Sequence, residues 1–382
     1  MKLHFVVCGL GMSSAWGSGH ATLWRALCAA LHRQGHRVTF YERDQPFYAR
    51  YRDFTRVDYC DLVLYREWSD VAGRITRELD AADVGMVTSY CPDASVASES
   101  VLNSKAGLKV FYDLDTPVTL SCLEEQGSCA YIGANGLRDF ELVLSFTGGR
   151  ALSALQQRLA ARQARPLYGS VDPLAHAPHA DRCQQRAALS YLGTYARDRA
   201  ASMDELFFEP ARRCPEERFI VGGALYPESF RWEGNVEFWG HVGPAAHAEF
   251  FERARFTLNL TRRAMRDYGF CPSGRLFEAA ACGAAMLSDD WEGLDTFFEP
   301  GRELLVVRSA DDVLEALRLP EAEVARIASA ARARVLANHT ADSRARELVA
   351  YVLGYTRATA GPALANDATL GDRQGAIRSC GA

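Results

Sequence analysis

Short apolar runs alternate with longer amphipathic stretches through the first half of the chain. The apolar runs predict buried strands at residues 3–8, 37–41, 62–65, 84–89, 108–112 and 142–146. The stretches between them predict helices, for example at residues 20–34, 68–79 and 149–161. Strands that are apolar along most of their length and alternate with helices are typical of a parallel, doubly wound sheet.

The alternation stops after residue 168 and resumes at residue 187. The stretch between, residues 169–186, is rich in Pro, Ala and His, and we interpret it as an interdomain linker. Strands then follow at residues 188–192, 218–221, 256–260, 285–288 and 304–307. Helices are predicted at residues 202–213, 276–282, 321–337 and 341–356.

This pattern predicts an α/β protein with two Rossmann-like domains. We assign residues 1–168 to the first domain, 187–340 to the second and 341–358 to a C-terminal helix, and we expect the polar, Gly-rich tail, residues 359–382, to be disordered. Ligands of such sheets bind beyond the carboxyl ends of the strands, so two facing domains create a cleft between them.

Composition narrows the function classes. The chain has 382 residues, of which 48% are hydrophobic and 24% charged, which suits two globular cores. The net charge of −5 and the absence of a polybasic run give no reason to expect nucleic acid as a partner. The 11 cysteines are scattered singly, as expected of buried thiols in a reducing compartment. No apolar run approaches the roughly 18 residues that suggest a membrane span, so we expect a cytoplasmic protein.

The segment from Gly274 to Asp290 is the strongest candidate for a binding site. It predicts a helix of small residues that ends at Gly283, followed by a buried strand with acidic residues at its end. Glu278 lies early in this helix, where a carboxylate can accept both hydroxyl groups of a ribose. The alternative interpretation is that Glu278 only complements the helix dipole.

Five phrases of the sequence together resemble a known family. They are Ser14 to His20, Phe111 to Pro117, Leu189 to Tyr195, Leu258 to Arg262, and Arg275 to Gly283. Their order is similar to that in glycosyltransferases of the GT-B fold, specifically the group around the spore-maturation protein CgeB. The resemblance implies metal-independent transfer of a sugar, of the hexosyltransferase type, from a nucleoside-diphosphate sugar to an unknown acceptor.

The resemblance also implies roles for single residues. Glu278 matches the second of two glutamates that related retaining enzymes place eight positions apart, whereas Phe270 stands where the first would be. Tyr268 and Phe270 could then pack on the nucleobase, and Trp16 could form a stacking surface. Residues expected to bind the donor, several of them near its diphosphate, are Gly193, Thr194, Arg199, Asn259, Arg262, Arg275 and Glu278.

A Gly-rich loop with Gly17, Ser18 and Gly19 leads into the first helix, at His20. It fits neither the dinucleotide-binding nor the ATP-binding fingerprint. In GT-B enzymes such a loop borders the reacting sugar, and a histidine there could deprotonate an acceptor hydroxyl. Asp93 and Asp115 are the alternative candidates for the general base.

Asp113 and Asp115 form a DxD pair, which binds a divalent cation in the other glycosyltransferase fold. Here Asp115-Thr116-Pro117 also predicts a helix start, and the two-domain plan favours a site without metal. We therefore expect neither a metal ion nor another cofactor. A nucleotide-sugar epimerase, a phosphorylase and a non-catalytic nucleotide-sugar-binding scaffold remain alternative functions.

Overall fold

The computed structural model describes residues 1–17, 19–179 and 186–359 of the chain. Its N-terminal half contains a parallel sheet with strand order β3-β2-β1-β4-β5-β6-β7. The strands are β1 (His4–Gly9), β2 (Arg37–Arg43), β3 (Asp61–Tyr65), β4 (Val84–Thr88), β5 (Leu108–Asp113), β6 (Leu142–Ser145) and β7 (Ala164–Pro166).

The second sheet is also parallel and has the order β10-β9-β8-β11-β12-β13. Its strands are β8 (Ala187–Leu192), β9 (Phe219–Gly222), β10 (Val236–Phe238), β11 (Ala254–Asn259), β12 (Ala285–Ser288) and β13 (Leu305–Val306). The predicted fold class, two doubly wound parallel sheets, is therefore confirmed.

Helices connect the strands and cover both faces of each sheet. In the N-terminal half they are α1 (His20–Arg33), α2 (Pro46–Arg50), α3 (Trp68–Asp80), α4 (Ala94–Asn103), α5 (Thr116–Gln126) and α6 (Arg150–Leu159). In the C-terminal half they are α7 (Ala200–Met203), α8 (Glu209–Arg213), α9 (His247–Glu252), α10 (Arg263–Tyr268), α11 (Gly274–Ala281), α12 (Ala310–Leu317), α13 (Glu321–Asn338) and α14 (Ala341–Thr359). Among the described residues, no helix combines the length and the apolar character that a membrane span requires.

Apolar residues on successive positions explain why the central strands are buried on both faces. All residues of β8 are buried, as are all those of β4, β6 and β12. In α1, by contrast, buried residues such as Leu23, Trp24 and Leu27 are interspersed with partly exposed ones such as Arg25, because this helix keeps one face toward solvent. The nine cysteines of the described residues are free thiols, and seven of them are buried.

The strand order reverses between β1 and β4 in the first sheet and between β8 and β11 in the second. At such a reversal, neighbouring loops leave the sheet in opposite directions and open a crevice at the carboxyl ends of the strands. The loops after β1, β8 and β11 lie at these two crevices. The fold therefore places the Gly-rich loop and the residues after β8 and β11 beside the cleft.

The chain crosses between the halves twice. In the first crossing, Val171 pairs with Thr340 in an isolated parallel bridge, and Asp172 forms an ion pair with Arg33 of α1. In the second crossing, α14 returns from the C-terminal half and buries Leu348 and other apolar residues in the core of the N-terminal sheet. Part of the predicted linker, residues 180–185, and all but the first residue of the predicted tail lie outside the described residues.

Candidate active site

A cavity of about 400 Å³ lies in the cleft between the two sheets, and both halves of the chain line it. The N-terminal half contributes the loop after β1, the start of α1, and Asp115 beyond β5. The C-terminal half contributes the loops after β8 and β11 and the start of α11. These are the positions at which doubly wound sheets bind ligands.

Most residues that the sequence nominates for the site line this cavity together. They are Gly17, Gly19, His20, Asp115, Gly193, Thr194, Arg199, Arg262, Arg275 and Glu278. Asp93 and Asn259 are not part of the lining. Ser18 lies outside the described residues.

Arg275, in the first turn of α11, brings a positive charge into the cleft. Its Nη1 atom is buried and has no hydrogen-bond partner. Its guanidinium carbon lies 5.4 Å from the centre of the Tyr191 ring. Burial lowers the pKa of Arg275, and nearby Arg199 lowers it further. Within the described part of the chain, no carboxylate forms an ion pair with Arg275.

Arg199 lies beside it, after β8. One of its terminal nitrogens donates a hydrogen bond to the carbonyl of Thr194, while its Nε atom is buried without a partner. No described carboxylate is paired with Arg199 either. Two cations with unmatched N–H donors therefore face one cavity, an arrangement that favours an anionic ligand.

Two backbone features keep the space next to these arginines open. A Cβ atom at Gly193 would lie 2.9 Å from Nη2 of Arg275 and 2.6 Å from the Tyr191 hydroxyl. A side chain at this position would therefore have to displace the Tyr191 hydroxyl and the Arg275 guanidinium. Ser273, at the N-cap of α11, makes no side-chain capping bond, and the start of this helix opens on the cavity.

Arg262, after β11, also lines the cavity, and its Nε atom lies 3.2 Å from a carboxylate oxygen of Asp198. Its charge is thus already partly matched, unlike that of Arg275. Nearby, Asp289 accepts hydrogen bonds from the amide and the hydroxyl of Thr261. These bonds hold the loop after β11 against the end of β12.

Glu278 lies deeper, with 6% of its surface exposed. Its Oε2 atom is 3.3 Å from Nδ1 of His247, and Nε2 of His176 lies 3.3 Å from the same nitrogen. Burial raises the pKa of Glu278, but the two histidines outweigh burial and hold this pKa well below its ordinary range. Neither histidine could be nominated from the sequence, because a contact between distant segments leaves no characteristic spacing along the chain.

On the opposite wall, His20 begins α1 and pairs with Asp115. Nε2 of His20 lies 3.4 Å from Oδ2 of Asp115, and the Tyr90 hydroxyl donates to the same oxygen at 3.0 Å. The His20 and Tyr90 rings stack with their centres 5.4 Å apart. Tyr90 adopts a φ of 65°, which is unusual for a residue other than glycine. A carboxylate thus lies beside a histidine at the edge of the cleft.

The two acids of the DxD pair do not face the same space. Asp113 is fully buried and accepts hydrogen bonds from the Thr119 hydroxyl and the Asp115 amide. Burial raises the pKa of Asp113 to about 6. Of the two acids, only Asp115 lines the cleft.

Asp93 and Asn259, which were also nominated from the sequence, lie outside the cavity lining. Arg43 forms an ion pair with Asp93 at 2.9 Å, and the Tyr65 hydroxyl donates to Asp93 at 2.9 Å, so this carboxylate joins β2 and β3 to α4. The side-chain nitrogen of Asn259 donates to the hydroxyl of Ser288 at 3.1 Å, and this bond links the ends of β11 and β12.

The aromatic residues expected beside the donor do not line the cavity. Phe270 instead packs against Gly149 and Gly293, and its carbonyl accepts a hydrogen bond from the Gly148 amide. Trp16 stacks on Tyr51, with ring centres 4.3 Å apart. Tyr195 and Phe146, which were not nominated from the sequence, line the cavity instead, and Tyr195 comes from the same loop after β8 as Arg199.

Comparison with known proteins identifies the fold. Residues 197–350 match a family model described as glycosyl transferase-like. No curated protein matches the sequence significantly. The structure resembles sucrose-phosphate synthase from Thermosynechococcus elongatus with a TM-score of 0.66 at 13% identity, covering 92% of this chain and 98% of that one.

Two further structures are similar over the same share of this chain, 92%. HepE from Anabaena, in complex with UDP and glucose, has a TM-score of 0.63 at 12% identity over 100% of its length. An alpha-glucosyltransferase in complex with UDP and a 13-mer DNA has a TM-score of 0.66 at 10% identity over 99% of its length. The chain therefore has the GT-B glycosyltransferase fold, and its C-terminal half matches a glycosyl transferase-like family.

Proposed function

We propose that the protein transfers a sugar from a nucleoside-diphosphate sugar, which binds in the cleft with its diphosphate beside Arg275 and Arg199. The acceptor enters from the N-terminal side, near His20 and Asp115. We further propose that the transfer is metal-independent and of the hexosyltransferase type. The assignment to the CgeB-like group stays a prediction.

The observation that carries this proposal is the pair of partly buried arginines with unpartnered N–H groups. A guanidinium group in such a place is costly unless an anion accompanies it. A diphosphate would accept hydrogen bonds from both side chains and from the start of α11. The same cations would stabilise the negative charge that grows on the diphosphate as the sugar leaves.

The remaining contacts follow from this placement. Gly193 lets the phosphate approach the backbone after β8, and Arg262 could shift from Asp198 to the donor. One oxygen of Glu278 could accept a ribose hydroxyl, as the resemblance implies. Tyr195, beside Arg199, is the aromatic side chain we place nearest to the base. UDP is the first nucleotide to test, because HepE and the alpha-glucosyltransferase were both solved with it.

His20 is our choice for the general base, since Asp115 orients its ring and would stabilise the positive charge that it gains. Asp115 itself is the alternative. Asp93 is less suited, because Arg43 and Tyr65 already occupy its carboxylate.

The proposal is tested by titrating the full chain with UDP, GDP, ADP, CDP and dTDP in a calorimeter. We expect one of them to bind, and Arg275→Ala to weaken it by roughly 10- to 100-fold, since a charged hydrogen bond contributes about 1.5–3 kcal/mol. Arg263→Ala is the matched control, because Arg263 lies on α10 with 77% of its side chain exposed.

Circular dichroism of both variants checks that they fold. Binding of no nucleoside diphosphate would overturn the proposal. Equal affinities of the Arg275 and Arg263 variants would show that the diphosphate lies elsewhere. Release of the nucleoside diphosphate from its glucose conjugate, followed over time, then tests for turnover.

A further inference from the structure

Three buried side chains from separate segments converge at the inner wall of the cleft, and two of them, His247 and Glu278, line the cavity. His176 belongs to the segment that follows the N-terminal half, His247 begins α9, and Glu278 lies within α11. Their exposed fractions are 5%, 7% and 6%. One atom of each, Nε2 of His176, Nδ1 of His247 and a carboxylate oxygen of Glu278, lies within 4.8 Å of the other two.

Hydrogen bonds alone satisfy this trio poorly. Nδ1 of His247 lies 3.3 Å from both His176 Nε2 and Glu278 Oε2. A ring nitrogen carries at most a single proton, so it can donate to Glu278 or accept from His176 but cannot do both.

A cation at the centre of the trio would resolve this conflict. Tetrahedral zinc binds nitrogen and carboxylate oxygen at about 2.0–2.2 Å, which places neighbouring ligand atoms roughly 3.3–3.6 Å apart. The two measured separations match this spacing. Two imidazoles and one carboxylate form a donor set that zinc accepts and that magnesium and calcium, which favour oxygen ligands, do not.

We propose that His176, His247 and Glu278 bind a zinc ion that fastens the segment around His176 to α9 and α11. Three protein ligands leave a fourth position for water. A carboxylate that binds zinc through one oxygen keeps the other for a hydroxyl group, so the site is compatible with a ribose beside Glu278. The ion is a structural clip here, distinct from the metal-independent transfer proposed above.

The full chain, stripped with EDTA and dialysed, is titrated with zinc chloride against a competing chelator. We expect a single equivalent to bind, and Co(II) in its place to show the visible absorption of a four-coordinate complex. His176→Ala should weaken zinc binding by more than the roughly 10- to 100-fold that follows loss of a hydrogen-bond partner to a metal ligand. His176→Cys, which keeps a zinc ligand, should recover much of the affinity.

His241→Ala is the matched control, because His241 lines the cleft but lies outside the trio. Zinc binding equal in wild type, His176→Ala and His241→Ala would overturn the site, as would no stoichiometric binding by wild type. UDP titration of the same samples separates the two proposals. If the protein binds the nucleotide but not zinc, only the proposed zinc site is contradicted. If it binds zinc but not the nucleotide, only the proposed donor site is contradicted.

Discussion

At the scale of single residues, His20 and Asp115 are the pair that we propose as the general base and its orienting carboxylate. Asp115 also accepts from the Tyr90 hydroxyl, so its position is fixed from two directions. Tyr90 reaches it from a backbone conformation with positive φ, which costs of order 1–3 kcal/mol and persists only where the surroundings impose it. Such strain at a cleft is a reason to look for function there.

We expect His20→Ala to lower the rate of sugar transfer by roughly 10²- to 10⁴-fold, the usual contribution of a general base. Asp115→Asn should lower the rate less, because the amide can still orient the ring but cannot stabilise its charge. The measurement is release of the nucleoside diphosphate under saturating donor, with donor affinity determined separately by calorimetry.

Asp93→Asn is the control for this pair. Its carboxylate lies in an ion pair with Arg43 outside the cavity lining, so we expect a loss of stability with little change in turnover. A rate lost in the Asp93 variant and kept in the His20 variant would reverse the assignment of the base.

At the scale of elements, the two halves meet where the turn before α6 touches the loop between α10 and α11. The Gly148 amide donates to the Phe270 carbonyl at 2.9 Å, and the Phe270 ring packs over Gly149. Gly149 has a φ of 55° and ψ of −132°, a conformation that side chains rarely allow. Phe270, which was expected to pack on the nucleobase of the donor, thus packs between the two halves of the chain instead.

Gly149→Ala should therefore destabilise the protein markedly. Its Cβ atom would lie 2.5 Å from the Phe270 ring, so steric overlap adds to backbone strain, and together they should cost about 2–5 kcal/mol. Gly127→Ala is the matched control, since Gly127 also has positive φ, 69°, but has no atom within 4 Å of the added Cβ. We expect Gly127→Ala to lower the free energy of unfolding by roughly 1–2 kcal/mol. Thermal unfolding measures the stability lost in each variant. Equal losses of stability in Gly149→Ala and Gly127→Ala would show that overlap with the Phe270 ring contributes nothing.

The elements differ in how well the sequence predicts them. The strands β1, β8, β11 and β12 were predicted to within a residue or two, because burial on both faces leaves an uninterrupted apolar run. The short strands β7 and β10 were missed: both are edge strands that keep polar, exposed residues. Arg275 and Glu278 could be nominated because they lie on either side of a recognisable helix start, whereas His176 and His247 meet only through the tertiary fold.

At the scale of the whole molecule, the end of the chain links both halves. Helix α13 packs on the C-terminal sheet, and α14 leaves it to bury Ala345, Leu348 and Val352 in the N-terminal core. His339 lies between these helices, and its carbonyl accepts a hydrogen bond from the Val171 amide in the first crossing. The two crossings therefore meet at His339.

The ring of His339 stacks on Phe277 with centres 4.9 Å apart, and its Nδ1 atom lies 3.0 Å from a guanidinium nitrogen of Arg344. Burial, and after it the charge of Arg344, lowers the pKa of His339 to about 4. An unfolded chain titrates this histidine near 6.5. The unfolded state therefore binds the proton first as the pH falls. The stabilisation from neutral His339 is complete above about pH 6.5 and is lost toward pH 4, by up to about 3 kcal/mol.

We predict that acidification from about pH 7 to pH 4 destabilises the wild type more than His339→Asn, in which the amide oxygen can still accept from Arg344 but no longer titrates in this range. The measurement is the urea midpoint across this interval, taken as the difference between the two proteins so that other titrating groups cancel. His32→Asn, at an exposed position of α1, is the control and should follow the wild type. Parallel pH profiles for wild type and His339→Asn would show that the junction does not hold His339 neutral. A shallower profile for the variant would show that acid loosens the molecule where its two crossings meet.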